Sequence, residues 1–298
     1  MGQLEDMAIF ARVIEAGSIT LAAEQLGLAK SAVSKRLSAL EQKLGLKLIS
    51  RTTRKSSITE AGKQYYQRSK LILDEVDELN NITSSDTLAL SGPLKITVPL
   101  SFGLMYLSEP FDLFIQKNPD IQLQVHFSDH RVDLIESGMD LAIRIGELAN
   151  SNLQAKKLIE IKQLICASPE YLLEHGTPKN PEELKHHKLL KYENNPFQSI
   201  SFLDSNGTRI TGQPKIHCVA NNGEFLQKMA LSSHGIIQTP HFFVWKNIQD
   251  HSLTPILTDF QLTSLNAYAV YPANRHLPSK VRTLIDFLLE HLQDLPFI

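Results

Sequence analysis

Residues 17–45 read GSITLAAEQLGLAKSAVSKRLSALEQKLG, and this stretch decides the fold of the N-terminal part of the chain. Ser18 is placed to cap a helix, and Gly27 permits a tight turn before a second helix. The second helix puts on one narrow arc the apolar residues Val33, Leu37, Leu40 and Leu44, and on the opposite side Ser31, Ser34, Lys35, Ser38 and Gln42. Two helices joined by a glycine turn predict a helix-turn-helix whose second helix has a short, polar, cationic face.

The segments on either side extend this motif. Residues 4–16 carry apolar side chains at helical spacing, and Gly17 ends that helix. After Gly45, residues 46–49, 51–55 and 56–58 are predicted to form a strand, a basic turn and a second strand. Residues 1–58 are therefore predicted to be a winged helix-turn-helix.

Charge is segregated along the chain. The whole sequence has a net charge of −2, which by itself argues against a nucleic-acid partner. Residues 29–58, however, contain eight Lys or Arg residues and one acidic residue, Glu41, so this segment carries +7 and the remainder −9. A short basic segment on an acidic body favours a partner that is bound through the predicted helix and wing.

A long helix is predicted next, because Thr59 can cap it and Glu60 suits the positive end of its dipole. Its apolar stripe is narrow and consists of Tyr65, Ile72, Val76 and Leu79. A stripe of this width is typical of a coiled-coil seam, so we expect the helix to pair two chains. The break at residues 91–93, Ser-Gly-Pro, is interpreted as a hinge.

Strand and helix patterns alternate after Pro93. Strands are predicted at 94–98, 121–127, 141–145, 163–167, 215–220, 235–238 and 267–271, and helices within 104–117 and at 132–136, 169–174, 223–232 and 278–292. Such alternation is typical of mostly parallel sheets covered by helices. Two α/β lobes are therefore predicted.

Several classes of protein are excluded. No run of about 18 apolar residues occurs, and the N-terminus lacks the pattern of an export signal, so we expect a cytoplasmic protein without membrane contact. Cys166 and Cys218 are interpreted as buried thiols in a reducing compartment. No catalytic motif is present, and the histidines are too dispersed to indicate a metal. We expect neither an enzyme nor a cofactor.

The sequence resembles the LysR-type transcriptional regulators over essentially its whole length. In the N-terminal part the resemblance rests on Phe10, Val13, Glu15, Gly17, Ser18, Ala22, Ala23, Leu26, residues 31–34, Leu40, Glu41, Leu44, Gly45, Leu48, Arg51, Thr59, Ala61 and Gly62. In the remainder it rests on residues 92–94, Pro119, 140–144, 167–169, Gly235, Ile236, Pro240 and 277–287. Ile49 and Lys30 depart from the family, which usually has Phe and Gln there.

The resemblance implies a particular division of the chain. Residues 1–58 would form the winged helix-turn-helix, and 59–90 the linker helix and hinge. Residues 91–298 would form an effector domain similar in fold to periplasmic binding proteins. Its lobe I would comprise about 91–162 and 271–298, and lobe II about 163–270.

The predicted DNA contacts lie on the second helix of the motif and on the wing. A helix in the major groove needs short side chains and donors for base edges and phosphates. The candidates are Lys30, Ser31, Ser34, Lys35, Ser38, Arg51, Thr52, Thr53 and Arg54. The alternative for each is a solvated charged surface.

The predicted effector site lies in the crevice between the lobes, where strands end and helices begin. By position the candidates are Ser101, Phe102, Gly103, Ser128, Arg144, Gly146, Asn221, Asn222, Thr239 and His241. Their hydroxyl and amide groups suit a small carboxylate, although each could be an ordinary loop or capping residue. Arg144 could pair with a ligand carboxylate or with Asp140 or Glu147.

These observations favour a DNA-binding transcriptional regulator that senses a small, anionic effector. Its expected partners are double-stranded DNA, a small carboxylate, further copies of the chain in a homodimer or homotetramer, and RNA polymerase if it activates. The alternative is a two-lobed binding protein or enzyme with an N-terminal helical appendage. Export signals or catalytic residues would favour that alternative.

Overall fold

The computed structural model describes residues 2–52, 55–83, 90–130, 132–146, 153–195, 197–204, 206–273 and 277–297. The chain divides into two compact units. The N-terminal unit comprises Met1–Gly92 with Ile135–Gly138 and Asn274–Arg282, and the C-terminal unit comprises Pro93–Leu134, Met139–Ala273 and Thr283–Ile298.

Three helices form the body of the N-terminal unit, namely α1 (Gln3–Ala16), α2 (Ile19–Gln25) and α3 (Lys30–Leu44). The Ser18 hydroxyl caps α2 by accepting hydrogen bonds from the amides of Thr20 and Leu21 at 3.1 and 3.4 Å. Gly17 ends α1 in the left-handed conformation, with φ of 66°. A common core is formed by residues of all three helices, including Phe10, Ala22, Val33 and Leu37. This helical arrangement confirms the predicted motif.

The wing is a two-stranded antiparallel sheet of β1 (Ile49–Thr52) and β2 (Lys55–Ile58), with Ile49 opposite Ile58. The prediction of a strand at 46–49 is wrong, because β1 begins only at Ile49. The amides of Leu48 and Ile49 donate to the carboxylate of Glu41 on α3. The chain before β1 is thus held by a helix side chain and does not join a strand ladder.

The long helix α4 (Glu60–Thr83) follows directly. The Thr59 hydroxyl accepts the amide of Gly62 at 2.9 Å and donates to the carbonyl oxygen of Lys47 at 2.7 Å. A side chain at Gly62 would collide with the Leu48 carbonyl oxygen, so glycine permits the close approach of α4 to the wing. These contacts fix the point at which α4 leaves the winged motif.

The C-terminal unit contains two five-stranded sheets, one for each lobe. In lobe I the strand order is β4-β3-β5-β15-β6. The strands are β3 (Gly92–Val98), β4 (Ile121–Phe127), β5 (Leu141–Ile145), β6 (Leu153–Ile161) and β15 (Leu265–Pro272). Its helices are α5 (Leu100–Phe102), which continues through a π-helical turn (Gly103–Leu107) into α6 (Ser108–Lys117), and α10 (Ser279–His291).

Lobe II has the strand order β11-β8-β12-β7-β13. Its strands are β7 (Gln163–Ala167), β8 (Lys188–Tyr192), β11 (Lys215–Ala220), β12 (Ile236–Pro240) and β13 (Thr254–Ile256). A smaller sheet has the order β10-β9-β14 and contains β9 (Ile200–Leu203), β10 (Arg209–Gly212) and β14 (Gln261–Leu262). The helices are α7 (Pro169–His175), a 3₁₀ helix (Pro181–His186), α8 (Gly223–Leu231) and α9 (His241–Gln249).

Three sequence predictions for these lobes are wrong. The sheets are mixed and not mostly parallel, since β15 runs antiparallel to β5 and β6, and β7 runs antiparallel to β12 and β13. Residues 134–138 form a turn where a short helix was predicted, and Gly138 has φ of 65° there. Residues 265–270, assigned by sequence to lobe II, pair with strands of lobe I.

Candidate functional site

The polar face of α3 is presented as the sequence predicts. Lys30, Ser31, Lys35 and Ser38 are exposed and Ser34 is partly buried. The opposite side of the helix is held in the core by Val33, Leu37 and Leu40. The exposed face therefore combines hydroxyl and ammonium donors.

Two cations of the basic segment have structural partners. The guanidinium of Arg36 contacts the carboxylates of Glu5 at 2.7 Å and Asp6 at 3.0 Å, tying α3 to α1. The hydrogen bond with Glu5 and its charge raise the pKa of Arg36. Lys47 pairs with Glu41 at 2.7 Å. The +7 counted from sequence already includes Glu41, so only the pairing of Arg36 with Glu5 and Asp6 lowers the charge available to a partner.

Glu41 connects α3 to the wing, a role that no local sequence pattern indicated. One carboxylate oxygen accepts the amides of Leu48 at 2.9 Å and Ile49 at 3.1 Å, and the other contacts Lys47. Burial opposes ionisation of Glu41, but the hydrogen bonds from Lys47, Ile49 and Leu48 outweigh it and lower the pKa of the carboxyl. The carboxylate is thus the charged form in the folded chain near neutral pH.

The wing candidates are described only in part. Arg51 and Thr52 lie in β1, opposite Ser56 and Lys55. Thr53 and Arg54 lie outside the described residues. Their contacts with DNA remain a prediction.

The predicted seam on α4 separates into two parts. The ring of Tyr65 packs edge-on against Phe10, with centroids 5.6 Å apart, and so contributes to the core of the N-terminal unit. Ile72 and Leu79 are 40% and 61% exposed, and Val76 is partly exposed. The apolar surface open to a partner chain is therefore the C-terminal part of the stripe.

In lobe I, the residues after β3 are more deeply buried than an open crevice would require. Ser101 is 6% and Phe102 1% exposed. A Cβ on Gly103 would lie only 2.7 Å from Val98 Cγ2 and 2.9 Å from Phe127 Cε1. Neither Phe102 nor Gly103 therefore has a side chain open to a ligand.

Arg144 lies beside the ends of two strands. Its guanidinium donates to the carbonyl oxygens of Ser128 at 3.2 Å and of Ile143 at 3.3 Å, and contacts Thr97 Oγ1 at 3.5 Å. Burial lowers the pKa of Arg144, and the nearby charge of Asp129 opposes that shift. None of its hydrogen bonds within the described part of the chain goes to a carboxylate.

The two acidic residues predicted as alternative partners of Arg144 are not among its hydrogen-bond partners in the described part of the chain. The Asp140 carboxylate accepts the Lys95 amide at 2.8 Å, and Glu147 lies outside the described residues. Gly146, directly before Glu147, has φ of 127°, and its amide donates to the Asn266 carbonyl oxygen at 3.0 Å. Glycine is therefore needed at this position for its backbone conformation, and its amide is already hydrogen-bonded within the fold.

Some of the lobe II candidates are buried or make hydrogen bonds within the fold. Asn221 is exposed, whereas the Asn222 side-chain oxygen caps α8 by accepting the Phe225 amide at 2.8 Å. Thr239 is 2% exposed, and the Nδ1 of His241 lies 3.0 Å from the Phe297 carbonyl oxygen. Because the side-chain oxygen of Asn222 is used for the cap, its side-chain NH2 group is the part that could donate to a ligand.

An aromatic joint, formed by Phe102, Tyr106, Phe242, Trp245 and Phe297, connects the two lobes. The Tyr106 hydroxyl donates to the Phe242 carbonyl oxygen at 2.7 Å and accepts from Trp245 Nε1 at 3.0 Å. Burial raises the pKa of Tyr106, and the bond from Trp245 opposes the shift. No sequence pattern indicated this joint, because its members are far apart in the chain.

Other chemistry is limited in the described residues. No group of three or more His, Cys, Asp or Glu side chains could hold a metal ion there. No helix among them is long and apolar enough to cross a membrane. Burial raises the pKa of the Cys166 thiol to about 12, consistent with an inert core thiol.

Two family models match the chain. The bacterial regulatory helix-turn-helix protein model of the lysR family matches residues 4–63, and the LysR substrate binding domain model matches residues 89–293. The chain belongs to the LysR family of transcriptional regulators.

Relatives of this LysR-type regulator are similar over nearly their full length. An uncharacterized HTH-type transcriptional regulator of Haemophilus influenzae is 38% identical, covering 94% of this chain and 98% of the relative. The regulator CrgA of Neisseria meningitidis is 35% identical, and its solved structure has a TM-score of 0.61 over 97% of this chain and 99% of CrgA. The Vibrio cholerae virulence activator AphB is 28% identical, with a TM-score of 0.61 over 97% and 100% of the two chains.

Family membership decides between the two hypotheses of the sequence analysis. LysR-type regulators bind DNA and small-molecule effectors and form oligomers, and they are not enzymes. The alternative of a two-lobed enzyme or binding protein with a helical appendage is therefore wrong.

Proposed function

We propose that this LysR-type regulator reads its operator with α3 and the wing and responds to a small anion held between the lobes of its C-terminal unit. The observation that supports the DNA contacts best is the exposed face of Lys30, Ser31, Lys35 and Ser38 on a helix held by three buried residues. Lysine can donate to guanine, whereas the serines bind phosphates or bases. The wing contacts would come from Arg51, Thr52, Thr53 and Arg54.

The regulator acts as a dimer or tetramer in this proposal. Ile72, Val76 and Leu79 would pair two copies of α4, because two of the three are strongly exposed apolar side chains. Two paired motifs would then contact half-sites separated by whole turns of DNA. Tyr65 would act indirectly, by holding α4 on the DNA-binding unit.

The proposed effector is a small carboxylate, and Arg144 is the main support for this chemistry. Its guanidinium is partly buried, and its hydrogen bonds to described residues all go to neutral oxygens. A partly buried cation without a carboxylate partner is stabilised when a ligand carboxylate binds beside it. Ser128, Asn221 and the side-chain NH2 group of Asn222 would supply further polar contacts, and His241 would contribute through Nε2. Ser101 and Thr239 are 6% and 2% exposed, so their hydroxyls would reach the ligand only in the arrangement of the lobes that uncovers them.

Binding between the lobes would be transmitted as a change in lobe angle. A ligand shifts an equilibrium only when its affinity differs between two arrangements of the lobes. If the protein activates transcription, the same change would alter a contact with RNA polymerase. Its proposed site of action is the cytoplasm, where a DNA partner would be met.

Two measurements test the proposal. Selection from a random DNA library should return a site with related half-sites, and a panel of small carboxylic acids should include compounds that raise the melting temperature. Arg144→Met should abolish that stabilisation while leaving the selected DNA site bound. Stabilisation that is retained in Arg144→Met, or selection without half-sites, contradicts the proposal.

A further inference from the structure

The aromatic joint lies directly behind both halves of the proposed effector site. On the lobe I side, Tyr106 lies in the π-helical turn that follows Ser101, within one continuous helical run. On the lobe II side, β12 ends at Pro240 and α9 begins at His241, so Phe242 and Trp245 follow the site residues Thr239 and His241. Each ligand-facing segment therefore leads straight into the joint.

We propose that the Tyr106 hydroxyl fixes the spacing of the two lobes at the effector site, which makes Tyr106 a positioning residue for effector binding. This inference rests on the proposed function of the crevice. Tyr106 itself is not proposed to touch the effector.

The hydroxyl satisfies two polar groups of the opposite lobe at once. It donates to the Phe242 carbonyl oxygen at 2.7 Å and accepts the Trp245 indole N–H at 3.0 Å. Separating the lobes would leave the carbonyl, the indole N–H and the phenol without these partners in a partly buried setting. Unpaired polar groups in such settings are unfavourable, so the joint favours one arrangement of the lobes.

The rings around the hydroxyl restrict its position. The Tyr106 ring lies 4.7 Å from Phe297, 5.6 Å from Phe102 and 5.8 Å from Phe242 between centroids. Two of these contacts are edge-on, an arrangement that aromatic quadrupoles favour. Phe102 also packs on Phe242 at 5.3 Å, so side chains of both lobes contact one another within the joint.

The surrounding elements are firmly attached to their own lobes. Val244 of α9 is fully buried in a lobe II core with Leu226 and Ile237. Phe114 of α6 is fully buried, and its ring contacts Phe287 of α10 at 5.6 Å. A change at Tyr106 therefore acts on two helices that are each packed into the core of their own lobe.

The experiment uses the full-length protein without any effector, so it does not depend on the identity of the effector. Hydrogen–deuterium exchange is measured on wild type, Tyr106→Phe and the control Tyr192→Phe. The Tyr192 hydroxyl contacts only Asn194 of the same lobe, at 3.4 Å, among the hydrogen bonds of the described residues. Tyr106→Phe should speed exchange in residues 100–107 and 239–249 roughly tenfold, because two hydrogen bonds between lobes are lost. The control should leave both segments unchanged.

Trp245 supplies a second readout because it is the only tryptophan in the sequence. Its emission should move to longer wavelength in Tyr106→Phe and become more accessible to acrylamide. Trp245→Phe, which removes one donor, should reproduce the exchange pattern at smaller amplitude. The Trp245→Phe variant therefore tests the same hydrogen bonds if Tyr106→Phe folds poorly.

The inference is overturned if lobe II residues 239–249 exchange at the wild-type rate in Tyr106→Phe. It is also overturned if both variants speed exchange evenly over the whole C-terminal unit, which would make Tyr106 a residue of general stability. Neither result bears on the proposed effector binding, which the carboxylic acid panel tests separately.

Discussion

Removing the Glu41 carboxylate should loosen the wing without unfolding α3. In Glu41→Ala the amides of Leu48 and Ile49 lose their acceptor, and both hydrogen bonds are buried. An unsatisfied buried donor costs about 1–3 kcal/mol, so the loss of two acceptor contacts should lower the local free energy of opening by about 2–6 kcal/mol. Lys47 is 78% exposed, and its loss as a partner adds little.

Glu41→Gln is the matched control, because its side-chain oxygen can still accept an amide hydrogen bond. We expect it to lose about 1 kcal/mol. The difference between wild type and Glu41→Gln should also depend on pH. The folded pKa of Glu41 lies below its unfolded value, so the stabilisation is complete above the unfolded pKa and is lost as pH falls through the folded pKa.

Hydrogen exchange of residues 46–58 in the full-length protein measures this opening directly. Exchange there should increase strongly in Glu41→Ala, weakly in Glu41→Gln, and little in the centre of α3. The reasoning is refuted if Glu41→Ala leaves residues 46–58 protected, or if the glutamine variant is as severe as the alanine variant.

Three further changes test other parts of the structure. Gly103→Ala should destabilise the C-terminal unit by about 1–3 kcal/mol in calorimetry, because its Cβ has no room against Val98; an unchanged transition would contradict this. Ser101→Leu should abolish the effector response in a transcription assay while operator affinity is retained, and wild-type induction would exclude the proposed crevice. Ile72→Asp with Leu79→Asp should yield monomers in light scattering at micromolar concentration, since charges replace the exposed stripe; an unchanged mass would place the dimer contact elsewhere.

The sequence predicted the N-terminal unit well because its signals are local. Ser18 caps α2 and Gly17 ends α1 as expected, since a cap and a left-handed glycine depend only on adjacent residues. The wing boundary was missed because Glu41, which holds Leu48, lies on a different element. Strand direction in the lobes was missed because antiparallel pairing of β15 is decided by residues more than 100 positions away.

The difference between local signals and contacts of distant residues also explains which features of the candidate site could be predicted. Residues at strand ends were identified by position alone, and Arg144 does lie beside Ser128. Burial of Phe102 and use of Asn222 as a cap depend on packing, which the pattern of the sequence does not contain. Tyr106, the residue on which the lobe joint depends, has neighbours about 140 positions away and gave no local signal.

The central claim, that α3 reads DNA, is tested most directly by operator affinity as a function of salt. Fluorescence anisotropy is measured on the selected operator with wild type, Lys35→Ala and the control Lys185→Ala, which removes the same charge from an exposed position in lobe II. Lys35→Ala should weaken binding at every sequence and reduce the slope of log affinity against log salt by about one unit per protomer. The control should match wild type. An unchanged affinity and slope in Lys35→Ala would contradict the account.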